Sequence, residues 1–239
     1  MIKKIKRYLK LIKAKTLENR LMSYELFYLN QLNNLLPKDT YLPVTSWSIA
    51  PTTIALILNE ILIENRKNII EFGSGLSTVY ICLLIAKYKL DVNFISVDDN
   101  LEWIEKQNLI LEDLGCKNLV NFVHAPIIDL NDTNITYGAQ QKWYDVKEID
   151  PVVKDSNWDM VIVDGPQGSI TPFSRYSAVP FLRKYLDSQP VIFLDDARRT
   201  DEMEIANEWS KILGIPYKYH NRLAIFKNKT IFKNELFKV

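Results

Sequence analysis

From Asn68 onward the chain alternates short apolar runs with helix-length segments, and few architectures other than a parallel sheet covered by helices on both faces use that pattern. The runs lie near Ile69 to Phe72, Val92 to Val97, Leu119 to Val123, Met160 to Val163 and Val191 to Leu194. Helices are expected to begin near Ser77, Asn100, Phe173 and Asp201. A last stretch from Tyr217 to Phe226, with His220, Asn221 and Arg222 at its middle, reads as an antiparallel hairpin closing the sheet. The expected fold is therefore α/β, a Rossmann-like doubly wound and mostly parallel sheet spanning residues 67–239.

Residues 1–66 read as a helical extension. Ile2, Ile5, Tyr8, Leu9 and Ile12 recur at helical spacing, which makes residues 2–15 a basic amphipathic helix. A second helix is expected from Leu17 to Leu36, stopped by Pro37, and another from Thr52 to Asn65, with KDTYLPVTSWSIAP as an irregular connector between them. The segment 127–157 is too long for a strand-to-helix connection, which usually takes about 2 to 6 residues. It reads as an insertion at the sheet's ligand edge, with Trp143 and Tyr144 as expected substrate-site residues.

Thirty basic and 29 acidic residues nearly cancel, so no global field draws the chain onto nucleic acid. The bias is local: Lys3, Lys4, Lys6, Arg7, Lys10, Lys13 and Lys15 all precede the first acid, Glu18. This basic helix could rest on an anionic membrane surface, or its apolar stripe could pack on the catalytic domain or on the second subunit of a homodimer. Packing is the expectation. With two cysteines, Cys82 and Cys116, there is neither a disulfide framework nor a cysteine metal site. No apolar run approaches the roughly 18 residues of a membrane span, so a cytoplasmic location is expected, peripheral to the inner face of the membrane if the helix rests there.

Chemistry is expected at the strand ends. In EFGSGLST, Gly73 and Gly75 flank Ser74 directly after a strand, and Ser77 or Thr78 can cap the next helix, so a ligand can approach the backbone closely. Glu71 can support this turn, and Thr78 stands where a dinucleotide fingerprint has its third glycine, which disfavours a diphosphate ligand. Asp98 ends the next strand, where an acid accepts hydrogen bonds from ribose hydroxyls. Asp99, with Glu102 three residues on, is assigned to a capping box, and Trp103 to helix packing. Gly73, Asp98, Ala125, Asp164 and Asp195 each fall just past a strand's C-terminal end, so they should converge in space. His124 and His220 read as strand-end histidines, of which His124 is nearer the expected ligand.

The runs IIEFGSGLSTVYI, ISVDDNLEW, VHAPI, WYD, WDMVIVDGPQG, RYSAVPFL and VIFLDDARRTDE together resemble the class I S-adenosylmethionine (SAM)-dependent methyltransferase superfamily, in particular a bacterial branch with VDGP and DDAxR signatures. The resemblance covers about Trp47 to Phe226. It implies a cofactor site of Glu71, Gly73, Ser74, Gly75, Ser77, Thr78, Asp98 and Asp99, with adenine near Ala125 and Pro126 and the methionine end near Gly73 and Asp164. Family members often carry Glu at the place of Asp98. For catalysis, Asp164, Asp195 and Asp196 are the candidates, acting either directly as a general base or by holding a magnesium ion. The second arrangement is similar to that of metal-dependent catechol-type O-methyltransferases, although Asp196 stands where an asparagine would be expected. Arg175, Tyr176 and Arg198 are the expected acceptor-positioning residues. The activity implied is O-methylation of a small molecule or glycan hydroxyl. The alternatives are an aminopropyltransferase on the same fold, which the arginines disfavour, and a catalytically silent cofactor-binding scaffold, which the acids disfavour.

Overall fold

The structure, a computed structural model, describes residues 2–229. Its centre is a seven-stranded sheet in the order β3-β2-β1-β6-β7-β9-β8. The strands are β1 (Asn68–Phe72), β2 (Asn93–Asp98), β3 (Asn121–His124), β6 (Trp158–Val163), β7 (Leu186–Leu194), β8 (Tyr217–His220) and β9 (Leu223–Phe226). The pairs β1 with β2, β2 with β3, β1 with β6 and β6 with β7 are parallel, whereas β9 runs antiparallel to both β7 and β8. Central strands such as β1 are buried on both faces, which is why they read as continuous apolar runs rather than alternating ones.

Helices cover the two faces. On one face α2 (Pro51–Ile63), α3 (Leu76–Tyr88) and α4 (Leu101–Asp113) pack over residues such as Ile69, Phe94, Ile162 and Phe193. On the other lie α5 (Val146–Val153), α6 (Ala178–Leu182) and α7 (Thr200–Leu213), whose Val153, Leu182 and Trp209 join Ile70, Val161 and Ile192. Alternate residues of one strand thus feed two separate cores, as a period of two requires. The insertion contributes α5 and a two-stranded antiparallel ribbon of β4 (Ile127–Asp129) and β5 (Lys142–Tyr144).

The N-terminal region departs from expectation. The two expected helices of residues 2–15 and 17–36 are one continuous helix, α1 (Ile2–Asn33), because no breaker stands between Lys15 and Asn19. Its C-terminal half docks on α2. Glu25 accepts hydrogen bonds from the Thr52 backbone N–H at 2.9 Å and the Thr52 hydroxyl at 2.6 Å, capping α2, and Leu32 is buried. In its N-terminal half the described apolar side chains Tyr8, Leu9, Leu11 and Ile12 are all exposed. No helix among the described residues is long and apolar enough to cross a membrane.

Candidate active site

The β1–α3 turn is built by two glycines and an acid beneath them. Gly73 has φ +92°, a conformation open to glycine, and an added Cβ would stand 2.8 Å from the backbone N of Gly165. Gly165 meets the same restriction, since a Cβ there would lie 2.9 Å from Gly73 and against the Tyr144 hydroxyl. Two backbones therefore touch, and the glycine of the VDGP run has a steric reason. At Gly75 an added Cβ meets nothing within 4 Å, so that position faces open space.

Glu71 does not reach the surface of this turn. It is fully buried and accepts hydrogen bonds from the hydroxyls of Ser77, Thr78 and Ser96. Burial pushes its carboxyl up to about 7, opposed by those three donors. The Thr78 hydroxyl also accepts from the Gly75 N–H at 2.9 Å, which settles the helix start. Glu71 and Thr78, assigned to the ligand from sequence, instead organise the turn from below. Ser77 is buried and also borders the cavity above it.

That cavity has two connected chambers along the C-terminal edge of the parallel strands. The larger, about 580 Å³, is bounded by α3, α4 and the connector between α1 and α2, including Pro43, Trp47, Trp103, Gln107 and Ile110. The smaller, about 230 Å³, is polar and is bounded by Tyr144, Gln167, Arg175, Asp196, Arg199 and Arg222. Both chambers share Trp47, Gly73, Ser74, Asp98, Asp99, Asp164 and Gln167. Of the predicted strand-end series, Gly73, Asp98 and Asp164 thus meet at the cavity, whereas Asp195 is buried and borders neither chamber and the β3 end lies apart. Ala125 is fully buried and Pro126 is exposed, and neither borders a chamber. His124 places Nε2 3.1 Å from the Asp99 carbonyl oxygen, a local contact at the strand end.

The two acids at the end of β2 differ in what engages them. The α4 cap is Asn100, whose side chain accepts from the Trp103 N–H at 3.0 Å, so Asp99 is released from capping. Asp98 accepts from the Ser74 N–H at 2.9 Å, the Ser74 hydroxyl at 2.8 Å and the Asn100 N–H at 2.9 Å, tying the glycine turn to the end of β2. Burial, then the neighbouring Asp98, raises the Asp99 carboxyl. Trp103, expected to be a packing residue, borders the larger chamber and donates its indole N–H to the Ser74 carbonyl at 2.9 Å.

Asp164, Asp195 and Asp196 come together, with carboxylate oxygens within 4.8 Å of one another. Three arginines interleave them. Arg175, itself buried, reaches Asp164 at 3.1 Å and Asp196 at 3.4 Å. Arg222 grips Asp195 through Nε at 3.1 and 3.2 Å and through its second nitrogen, and approaches Asp196 at 3.3 Å. Arg199 reaches Asp196 at 2.8 Å. All of these carboxylate oxygens except Asp164 Oδ2 lie against a guanidinium, and three positive charges already occupy the cluster, so this donor set does not fit a resident divalent ion. Burial raises Asp164 to about 8, with Arg175 pulling the other way and Asp195 and Asp196 adding to the rise.

Other expected substrate residues fall elsewhere. Trp143 is fully buried, packed on Phe72 and Phe181, and borders neither chamber. Tyr144 is buried too but reaches the smaller chamber. Tyr176 stacks on Tyr137 with ring centroids 4.8 Å apart, and Arg198 lies 3.9 Å over the Tyr219 ring and donates to the Asn221 carbonyl. Both serve packing, because Tyr176 sits on the α6 face and Arg198 turns out toward the β8–β9 hairpin. Arg222 and Trp47 were missed. A signal existed for the first: β9 runs antiparallel, so the residue before it sits at the edge where the parallel strands end.

No protein-family profile matches the chain, and no curated protein sequence matches it. Solved structures do. A methyltransferase from Geobacter sulfurreducens aligns with a TM-score of 0.55 at 12% identity, covering 87% of this chain and 95% of its own. An O-methyltransferase from Bacillus cereus, solved with S-adenosylhomocysteine, gives 0.54 at 9% identity over 86% of this chain and 91% of its own. The O-methyltransferase TomG from Streptomyces achromogenes, solved with SAM, gives 0.52 at 14% identity over 77% of this chain and 84% of its own. At such identities the likeness carries the architecture: the chain has the seven-stranded Rossmann-like fold of these methyltransferases.

Proposed function

We propose that the protein is a SAM-dependent methyltransferase acting on a hydroxyl of a small molecule or glycan. The observation that carries this reading is the position of Asp164. It borders both chambers, directly precedes the Gly165 that touches the cofactor turn, and is raised to about 8, where a carboxylate can accept a proton near neutral pH. Bound SAM supplies an electrophilic methyl on a sulfonium. On this reading the open space above Gly75 admits the cofactor, and Asp98 and Asp99 face its ribose hydroxyls. The acceptor enters the polar chamber. Asp164 takes the hydroxyl proton as the oxygen is aligned for in-line attack, while Arg175 holds that carboxylate in place. Trp47, 73% exposed at the wall common to both chambers, offers a flat apolar face for an acceptor ring.

The arginines set the rivals aside. A polyamine acceptor would bring cations against Arg175, Arg199 and Arg222, and a silent scaffold would have no use for an acid perturbed at the junction of two chambers. Calorimetric titration with SAM tests the proposal. Wild type should bind, and Gly75→Val should bind at least about tenfold more weakly, because its side chain has space within the protein and meets only the ligand. Absence of binding by the wild type would remove the reading. Methyl transfer is expected to survive exhaustive chelation with EDTA, and its loss would restore the metal-dependent scheme.

A further inference from the structure

We propose that the N-terminal half of α1 lies on an anionic lipid surface and holds the catalytic fold against it. The proposal stands on α1 alone and does not depend on the reaction assigned to the cleft.

Three observations converge. First, Tyr8, Leu9 and Ile12 are exposed, at 67%, 52% and 46% of their full surface, within a regular helix. An isolated helix of this length gains little from propensity alone, so a continuous exposed apolar stripe needs a surface to cover it. Second, among the described residues nothing covers that stripe while α1 stays continuous. At about 100° per residue, Tyr8, Leu9 and Ile12 lie roughly opposite the face formed by Leu21, Tyr24, Glu25, Tyr28 and Leu32. Those residues are the buried and half-buried ones that dock α1 onto α2. The helix presents its apolar stripe outward because it is held by its other side.

Third, the charge selects the partner. No acid stands among the seven basic residues before Glu18, and on the helical wheel the exposed Lys6 and Lys13 border one side of the stripe, Lys15 borders the other, and Lys10 lies farther round. A second copy of the same helix would set two such charge arrays against each other. An anionic lipid surface complements them, with the apolar side chains entering the headgroup boundary and the lysine stems reaching back to the phosphates. The remainder of the chain holds all 29 acids against 23 basic residues, so its net charge is negative and it is repelled by the same surface, which leaves the contact to this helix. With no helix able to span a bilayer, the contact is peripheral.

The test is co-sedimentation of the full chain with vesicles of phosphatidylcholine, alone or with about one-third phosphatidylglycerol. Binding to the anionic vesicles at least about tenfold stronger than to the neutral ones is expected, weakened by molar salt. It should be lost in the double variant Leu9→Glu, Ile12→Glu, whose far-ultraviolet circular dichroism and thermal midpoint should match wild type because both positions are exposed. A Lys6→Glu, Lys10→Glu, Lys13→Glu variant should lose binding with the apolar stripe intact. Equal affinity for both vesicle types, or binding retained in the apolar double variant, would overturn the proposal. So would a dimer in sedimentation velocity that the apolar double variant dissociates while wild type ignores the vesicles.

Discussion

Two charged clusters sit at opposite edges of the same sheet, and they differ in what surrounds them. At the N-terminal edge of the strands, Lys227 reaches Glu60 and Glu64 at 2.7 Å, and Arg66 reaches Glu60 at 3.4 Å. Arg66 also donates to the carbonyls of Asp159 and Gln189, at 3.2 and 2.9 Å. This cluster joins α2 to the starts of β1, β6 and β7 and is sealed, its four side chains being 4% to 11% exposed. At the C-terminal edge, Asp164 and Asp196 border a cavity with three arginines, Asp195 lies buried against Arg222, and Arg199 and Arg222 are 56% and 38% exposed. Pairing of charges is common to both. What separates a fastening from a site is that the side chains of one cluster are shut away from solvent and those of the other are held at the wall of a chamber.

Replacing the central acid should break the comparison most visibly. Asp164→Asn should leave the fold intact and lower methyl transfer by roughly 100-fold or more, since it removes the proposed proton acceptor. The pH profile gives a second readout. With the carboxyl raised to about 8, the wild-type rate should climb as pH rises toward 8 and level off above it, and the variant should show no such limb. A full-rate variant, or an unchanged profile, would move the site away from Asp164.

The sealed cluster should respond in the opposite currency. Lys227→Met leaves buried carboxylates short of a partner and should cost about 3 kcal/mol in denaturant unfolding, with little change in the rate per folded molecule. Arg222→Met, in the open cluster, should reduce methyl transfer more than it reduces stability. If both variants lose stability and activity in the same proportion, the distinction between the clusters fails.

A smaller effect concerns Glu71, buried between the two edges. Its folded pKa of about 7 lies above the unfolded value, so its contribution is fully present below about pH 4.5 and is lost as pH rises through 7. Comparing unfolding free energies at pH 5 and pH 8 should show a loss of up to about 3 kcal/mol from this group in the wild type. Glu71→Gln cannot ionise and should show a flatter slope over the same interval.

Much of the sheet could be read from the chain because parallel strands buried on both faces leave a period and composition of their own, as at Ile69 to Phe72 and Met160 to Val163. The glycine turn, Asp98, Asp164 and Asp195 were legible for the same reason, each being the first residue or two after such a run. What could not be read depends on direction rather than order. Glu71 points under the turn and Asp99 over it, although the pattern suggested the reverse emphasis. Trp143 and Tyr144 are neighbours in a strand, so they face opposite ways, and the second alone reaches the chamber. Trp47 lies in a connector without period, where local bonds shape the chain: Thr45 N–H to the Ser48 hydroxyl at 2.9 Å and Trp47 N–H to the Thr45 hydroxyl at 3.2 Å.

The contact between Gly73 and Gly165 has a further consequence. Methyl transfer is sensitive to the separation between donor and proton acceptor, and side-chain contacts drift with rotamers and with substitutions in the layers beneath. Here the turn that would carry the donor and the residue next to the acid meet main chain to main chain, and both Asp164 and Gly165 donate their N–H to the Phe72 carbonyl, at 2.9 and 2.7 Å. The spacing is therefore set by main-chain contact and main-chain hydrogen bonds, like a gauge with few adjustable parts. Changes elsewhere in the cleft can retune which acceptor enters while leaving the reacting distance as it was.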